Sequence, residues 1–322
     1  MPSPRIHYLV PDYDRPSWGT ATLYEHVALL CELGFDARVV HERAPFRLGW
    51  IERDLPITHL DALDAPPTAA DILVVPEVEA ARAAALGWPC RRWVFVQGGF
   101  LAESGLGGAA GYPALGYERA LAVMPHVARI VERHYGLVPA VVPPFVAPYF
   151  FAPDGASRPR GRTVLLAVKA EYGALGFADR EIFLGVVGRH LAARSGDAWR
   201  VEELTGLTHA EVAARMAGAA FFVSLNTHES FNATVPEAMA AGCVPLCYDA
   251  YGGQDFLVDR ENAFVFPNHH LWPLVDTLLD LLASFAERAE ELARLRAAAR
   301  ATAERFRREA TRDALARAFA DL

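Results

Sequence analysis

Short apolar runs alternate with helical stretches along most of the chain. "RIHYLVP" (5–11) has the length of a buried strand, and the turn-rich "DYDRPSWGT" (12–20) follows it. "ATLYEHVALLCELG" (21–34) then sets Leu23, Val27, Leu30 and Leu33 on one helical face and stops at Gly34, and "DARVVHE" (36–42) reads as a second strand. A strand–loop–helix–strand unit with a glycine in the loop opens a doubly wound sheet. "DILVVPE" (71–77) and "RWVFVQGG" (92–99) predict further buried strands around an Ala-rich helix at 78–87, and 120–136 continues the alternation. The proline-rich "PAVVPPFVAPYFFAP" (139–153), with "DGASRPRGR" behind it, is the best boundary in the chain. A second α/β half begins at "TVLLAVKAEYG" (163–173) and runs to "NAFVFP" (262–267). From about residue 275 the pattern is helical, with Leu281, Phe285, Leu292, Leu295, Ala299 and Phe306 near one face and a solvated Arg/Glu face opposite. The expectation is an α/β protein of two Rossmann-like halves with a cleft between them.

The totals agree with that picture and narrow it. A chain of 322 residues with 52% hydrophobic content has room for two cores. A net charge of −8 argues against nucleic acid as the main partner, because phosphate-backbone binding needs a basic face. Four cysteines fit a reducing compartment and small buried hydrophobes, and "CVPLC" lacks the second half of a zinc site. No charged-then-apolar leader and no apolar run of about 18 residues is present, so the protein reads as cytoplasmic with no integral membrane segment. The loop after the first strand lacks the three-glycine dinucleotide fingerprint, which argues against a nicotinamide or flavin cofactor. Among 31 basic residues only Lys169 is a lysine, and a point charge on a flexible stem suits a diphosphate.

The sharpest chemistry lies in "HESFNATVPEAMAAGCVP" (228–245). Glu229 follows the apolar run "AAFFVSL" (219–225), and Glu237 stands seven intervening residues later in a helix-former run ending at Gly242. Pro236 is expected as the first helical residue, since its missing N–H is unpaired there. One acid therefore lies past the C-terminal end of a strand and the other at a helix N-terminus, where open α/β sheets bind ligands and where free N–H groups meet anions. Either acid alone has an ordinary reading, a dipole-complementing Glu237 or a solvated Glu229.

Taken together, "HESFNATVPEAMAAGCVPLCYDAYGGQDFLVDRENAFVFP" resembles the C-terminal signature of retaining family-4 glycosyltransferases of the GT-B fold: Glu-x7-Glu, Ala-Met-Ala-x-Gly-x-Pro, a Gly-Gly pair, then an Asn before a short strand. "WGTATLYEHVALLCELGFDARVV" resembles the family's glycine loop and first helix, "VVPPFVAPYFFAP" its interdomain segment and "RFRREATRDALARAF" its closing helix. Asn232 stands where the family has glycine, Trp18-Gly19 replaces its paired glycines, and Lys169 stands near the place of a missing Gly-Arg.

The resemblance implies two facing Rossmann-like domains of the GT-B fold. Residues 1–150, plus a helix at about 305–322 packing back, would form the acceptor domain, and 160–304 the nucleotide-sugar domain. It implies transfer of a sugar from a UDP- or GDP-type donor to an unknown acceptor, with retention and no further cofactor. Glu237 would accept from the ribose hydroxyls, and Glu229 would stand beside the donor sugar. The backbone of Ser230, Phe231, Asn232 and Ala233 would meet sugar and phosphate. Lys169 and the helix starts near Gly19 and Pro236 would stabilise the leaving phosphate. A nucleotide-sugar-binding protein without transfer activity is the alternative, and a GT-B epimerase a more distant one. Asp12-Tyr13-Asp14 matches a metal motif in text only; turn capping is the ordinary use of such acids, so no metal site is expected. Asp14 and His126 are the groups of the first half to watch near an acceptor hydroxyl.

Overall fold

The computed structural model describes residues 4–51, 53–151, 160–168, 173–193 and 199–322. These fall into two units, Met1–Pro144 with Glu309–Leu322, and Phe145–Arg308.

The first unit is built on seven strands: β1 (Ile6–Leu9), β2 (Ala37–His41), β3 (Ile57–His59), β4 (Ile72–Pro76), β5 (Arg91–Val96), β6 (Tyr117–Ala122) and β7 (Pro139–Val141). They pair in the order β3-β2-β1-β4-β5-β6-β7, all parallel. The apolar runs at β1, β4 and β5 are buried throughout or nearly so, as strands covered on both faces must be. Their connections run through α1 (Trp18–Glu32), α2 (Ala80–Ala85), α3 (Ala102–Gly105) and α4 (Pro125–Tyr135). The helix expected at 78–87 is a 3-10 turn, Glu77–Glu79, followed by the single short α2. Order reverses between β1 and β4, so the loops leaving those two strands open at this unit's switch point.

The second unit holds β8 (Gly161–Ala167), β9 (Arg200–Glu203), β10 (Ala219–Ser224), β11 (Val244–Tyr248) and β12 (Phe264–Phe266), paired in parallel as β12-β11-β10-β8-β9. Here the order reverses between β8 and β10, with Ala167 opposite Ser224 at their C-terminal ends. Around the sheet lie α5 (Gly173–Ala193), α6 (His209–Gly218), α7 (Thr234–Ala241), α8 (Leu271–Ala283) and α9 (Ala289–Glu304). Leu166, Phe221, Val223, Leu246, Leu274, Leu278, Leu292 and Leu295 form one buried cluster. The helical tail is thus three helices, because α10 (Arg308–Ala318) is separate and belongs to the first unit. There Phe319 packs on Trp93 at 4.6 Å between ring centroids and on Phe35 at 6.1 Å, and Thr311 Oγ1 donates to the Pro143 carbonyl at 2.8 Å.

Candidate functional site

The second unit's switch point is occupied by the loop from β10 to α7, and three short-range facts shape it. Asn232, standing where the resemblance expects glycine, has φ 54°, in the left-handed region that asparagine tolerates better than most residues. Its amide is buried: Asn226 Nδ2 and Thr234 Oγ1 donate to Oδ1 at 3.2 and 3.3 Å, while Nδ2 donates to Ser224 Oγ at 3.2 Å. The substitution therefore keeps the turn and adds a tie from the strand end to the helix start. From outside, Gly252 presses on the same loop, since a Cβ there would stand 2.6 Å from the Ser230 carbonyl carbon and 2.7 Å from the Phe231 nitrogen.

Because Asn232 has already turned the chain and Ala233 has helical angles (φ −49°, ψ −34°), α7 begins at Thr234. Pro236 is accordingly its third residue and not its first. Glu237 remains in the first turn, with its N–H donating to the Ala233 carbonyl at 3.1 Å. Val235 N–H bonds to Asn232 O at 2.9 Å, and no side chain caps the helix. The N–H groups of Ser230, Asn232 and Ala233 make no hydrogen bond among the described residues. Such a set of donors at a helix start can meet phosphate or sugar oxygens.

The Phe231 side chain turns away from such a role. It is 5% exposed and stacks with Phe306 at 4.9 Å and Phe256 at 5.9 Å, so it anchors the loop, and only its backbone can face a ligand. Glu229 is held through its N–H, which donates to Ala250 O at 3.0 Å, next to the left-handed pair Ala250 and Tyr251.

Glu237 is 2% exposed, and its Oε1 accepts from His209 Nε2 at 2.8 Å. His209 is the first residue of α6, placed there by a capping box in which Thr208 Oγ1 accepts from Glu211 N–H and the Glu211 carboxylate accepts from Thr208 N–H. On the imidazole's other side Tyr149 Oη lies 2.6 Å from Nδ1, and the Tyr149 and Phe150 rings meet it edge-on at 5.6 and 4.9 Å. Burial raises the Glu237 carboxyl above its ordinary pKa while the His209 contact opposes the rise. Burial pulls His209 down, but the hydrogen bond and charge of Glu237 outweigh it and leave the imidazole raised. Burial, with the nearby Glu237 charge, also raises Tyr149. Neither His209 nor Tyr149 was singled out from sequence. "THAE" does announce a helix start, but nothing local says that its histidine reaches an acid 28 residues away.

In the first unit Gly19 is the second residue of α1, whose Ser17 makes no side-chain cap. A Cβ at Gly19 would meet only ordinary contacts, Gln97 Oε1 at 3.5 Å and Ser17 Oγ at 3.7 Å, so nothing within the unit demands glycine there. Asp12 braces the segment after β2, accepting from Glu42 N–H (2.9 Å) and Arg43 N–H (3.1 Å) with His41 Nδ1 at 3.1 Å; Asp14 accepts from Gly49 N–H at 3.1 Å. No group of three or more His, Cys, Asp or Glu among the described residues is placed to hold a metal ion. His126 is buried in the first turn of α4. Glu77, at the end of β4, is a residue the sequence reading passed over. Its Oε1 accepts from Gly98 N–H at 2.6 Å, and burial, against the pull of backbone N–H groups, pushes it up to about 7. Lys169 lies outside the described residues.

Residues 199–302 match the family described as glycosyl transferases group 1. No curated protein matches the sequence. The fold is that of GT-B glycosyltransferases, and solved structures share it over nearly the full length. A sucrose-phosphate synthase from Thermosynechococcus elongatus is 13% identical with TM-score 0.71, covering 99% of this chain and 98% of its own. Anabaena HepE, solved in complex with UDP and glucose, is 13% identical with TM-score 0.71 over 99% of this chain and 100% of its own. A glycosyltransferase from Rickettsia africae is 12% identical with TM-score 0.67, over 100% and 99%. At these identities the likeness carries the fold alone. No helix among the described residues is long and apolar enough to cross a membrane.

Proposed function

We propose that this chain transfers a sugar from a nucleoside-diphosphate sugar, of UDP type, to an acceptor hydroxyl with retention. The observation that carries the reading is Glu237: a buried carboxylate in the first turn of α7, beside open N–H groups at the sheet's switch point and inside the segment that matches the group 1 family. A carboxylate offers two acceptor oxygens to a ribose diol, and the uncapped helix start complements phosphate. The bond from C1 to the β-phosphate oxygen breaks, the nucleoside diphosphate leaves with the electron pair, and the acceptor oxygen bonds to C1 as its O–H proton passes to the departing diphosphate. Glu229 stands beside the sugar, while the N–H groups of Ser230, Phe231, Asn232 and Ala233 meet sugar and phosphate. Lys169 offsets the charge that grows on the leaving group. UDP is preferred over GDP because HepE was solved with UDP and with UDP-glucose. The left-handed Asn232 supports transfer over the binding-only alternative, because the exchange of glycine for asparagine leaves the loop's turn in place.

The test is thermal unfolding of the full chain with a panel of nucleotides and nucleotide sugars. UDP or a UDP-sugar at 100 times its Kd should stabilise the protein by about 2.7 kcal/mol. Glu237→Ala should raise Kd roughly 10- to 100-fold, the worth of hydrogen bonds to a charged group. Lys169→Ala should lower kcat more than it raises Kd, because its charge is used as the phosphate leaves. A panel with no stabilising nucleotide would remove the reading. Turnover is expected to persist in excess chelator, since Asp12 is engaged by Glu42 and Arg43; loss restored by magnesium or manganese would instead assign a metal to Asp12 and Asp14.

A further inference from the structure

The carboxylate given to the ribose is met by a histidine that the reading above does not use. The His209 side chain is 49% exposed while that of Glu237 is 3% exposed, so the imidazole exchanges protons with solvent beside an acid that cannot. If Nε2–H donates to Glu237, neutral imidazole must accept at Nδ1, and the Tyr149 O–H lies there to donate. Tyr149 and Phe150, in the 3-10 turn Pro148–Phe150, fix the ring from its other side, and that turn packs on both α6 and α7.

The network has a chemical purpose. A protonated carboxyl turns one of its acceptor oxygens into a donor, and a ribose diol then loses one of its two acceptors. Burial alone favours that protonated form. We infer that His209, with Tyr149 fixing its tautomer, is a positioning residue that keeps Glu237 as the anion able to accept from both ribose hydroxyls. This rests on the ribose reading of Glu237. Other titratable groups on the elements packed around the pair are Glu211 and Arg215 on α6, Arg162 on β8 with Arg160 just before it, and Glu290, Glu291, Arg294, Arg296, Arg300 and Glu304 on α9. On the sheet side, β11 adds Cys247 and Tyr248, while β10 has no titratable side chain. Arg300 donates to Ala240 O at 3.0 Å and Arg160 to Ala217 O at 2.7 Å, at the far ends of α7 and α6. The balance at Glu237 is therefore set by burial and by His209.

Calorimetric titration of the full chain with UDP at pH 5.5, 7 and 8.5 tests this. Wild-type affinity should vary by no more than about threefold across the range. H209F should lose about tenfold or more at pH 5.5, where burial without the opposing histidine favours the protonated carboxyl, and recover toward wild type at 8.5. H209Q retains an N–H donor but can never gain a charge and should fall between them. E237Q should bind weakly at every pH without recovery. An H209F protein that binds like wild type at all three values, or is uniformly weak at all three, would overturn the inference and leave the ribose reading standing. Wild type that binds neither UDP nor GDP would overturn that reading and this inference with it. Should H209F fail to fold, as shown by unfolding without ligand, H209Q decides: its loss must be larger at pH 5.5 than at 8.5.

Discussion

His26 sits fully buried on α1, with Tyr8 Oη 3.4 Å from Nδ1 and Phe95 against its ring at 4.6 Å, and burial lowers it to about 3. Burial, aided by the Arg38 charge, likewise lowers His7 to about 4. Both folded values lie below those of the unfolded chain. Their stabilisation is thus complete above about pH 6.5 and is lost as pH falls toward 3–4, each ionisation costing about 1.4 kcal/mol per unit. Glu77 runs the other way: its folded value, about 7, lies above the unfolded one near 4.5, so its stabilisation is complete below 4.5 and lost as pH rises through 7. Denaturant unfolding of Glu77→Gln and wild type at pH 5 and pH 8 checks this. The difference between them should shift in favour of the variant by up to about 3 kcal/mol at pH 8; an unchanged difference would show that Glu77 ionises normally. Single residues were also where sequence reading was most uneven. Glu229 and Glu237 could be read because a run of fixed spacings surrounds them. His209 could not, because its role depends on a contact between helices far apart in sequence. Gly19 was legible as a glycine but not as a requirement, and Gly19→Ala should leave unfolding unchanged or improve it by about 1 kcal/mol. A fall in turnover in that variant would then report close approach of a ligand; unaltered turnover would remove Gly19 from the site.

At the scale of elements, the long strands were readable because burial on both faces leaves continuous apolar runs, as at β1, β4 and β10. Edge strand β3 and the terminal β7 span three residues each, and β7 lies inside a proline-rich segment that locally reads as linker. What makes them strands is a neighbour's unpaired edge, which no local pattern contains. The turn carrying Gly252 is a similar case. Its glycine pair is visible in sequence, but the reason for it, the backbone of 229–231 pressing from the neighbouring loop, is a tertiary fact. Gly252→Ala should cost about 1–3 kcal/mol through forced displacement of that backbone. It should also weaken UDP binding, since the displaced stretch carries the open Ser230 N–H and leads into those of Asn232 and Ala233; thermal unfolding and calorimetry read the two effects. Full stability with full affinity would show that the loop can yield without consequence.

At the scale of the whole molecule, the alternation of strands and helices predicted two α/β sheets, and two parallel sheets are present. Strand order was not legible, because it is chosen by which crossovers pack back on each sheet and not by any one segment. The first unit is assembled from two stretches of chain separated by the whole of the second. Phe319 covers Trp93 and Phe35 across that separation, and Phe319→Ala should cost the first unit about 3–5 kcal/mol in calorimetric unfolding. Synthesis runs in one direction, so residues 145–308 are a continuous stretch that can fold as it emerges, while the seven-stranded sheet must wait with Trp93 uncovered. Closing so long a loop delays the last step of folding more than it weakens the finished structure. Throughout the interval of translation before residue 319 arrives, Trp93 is therefore without its Phe319 cover.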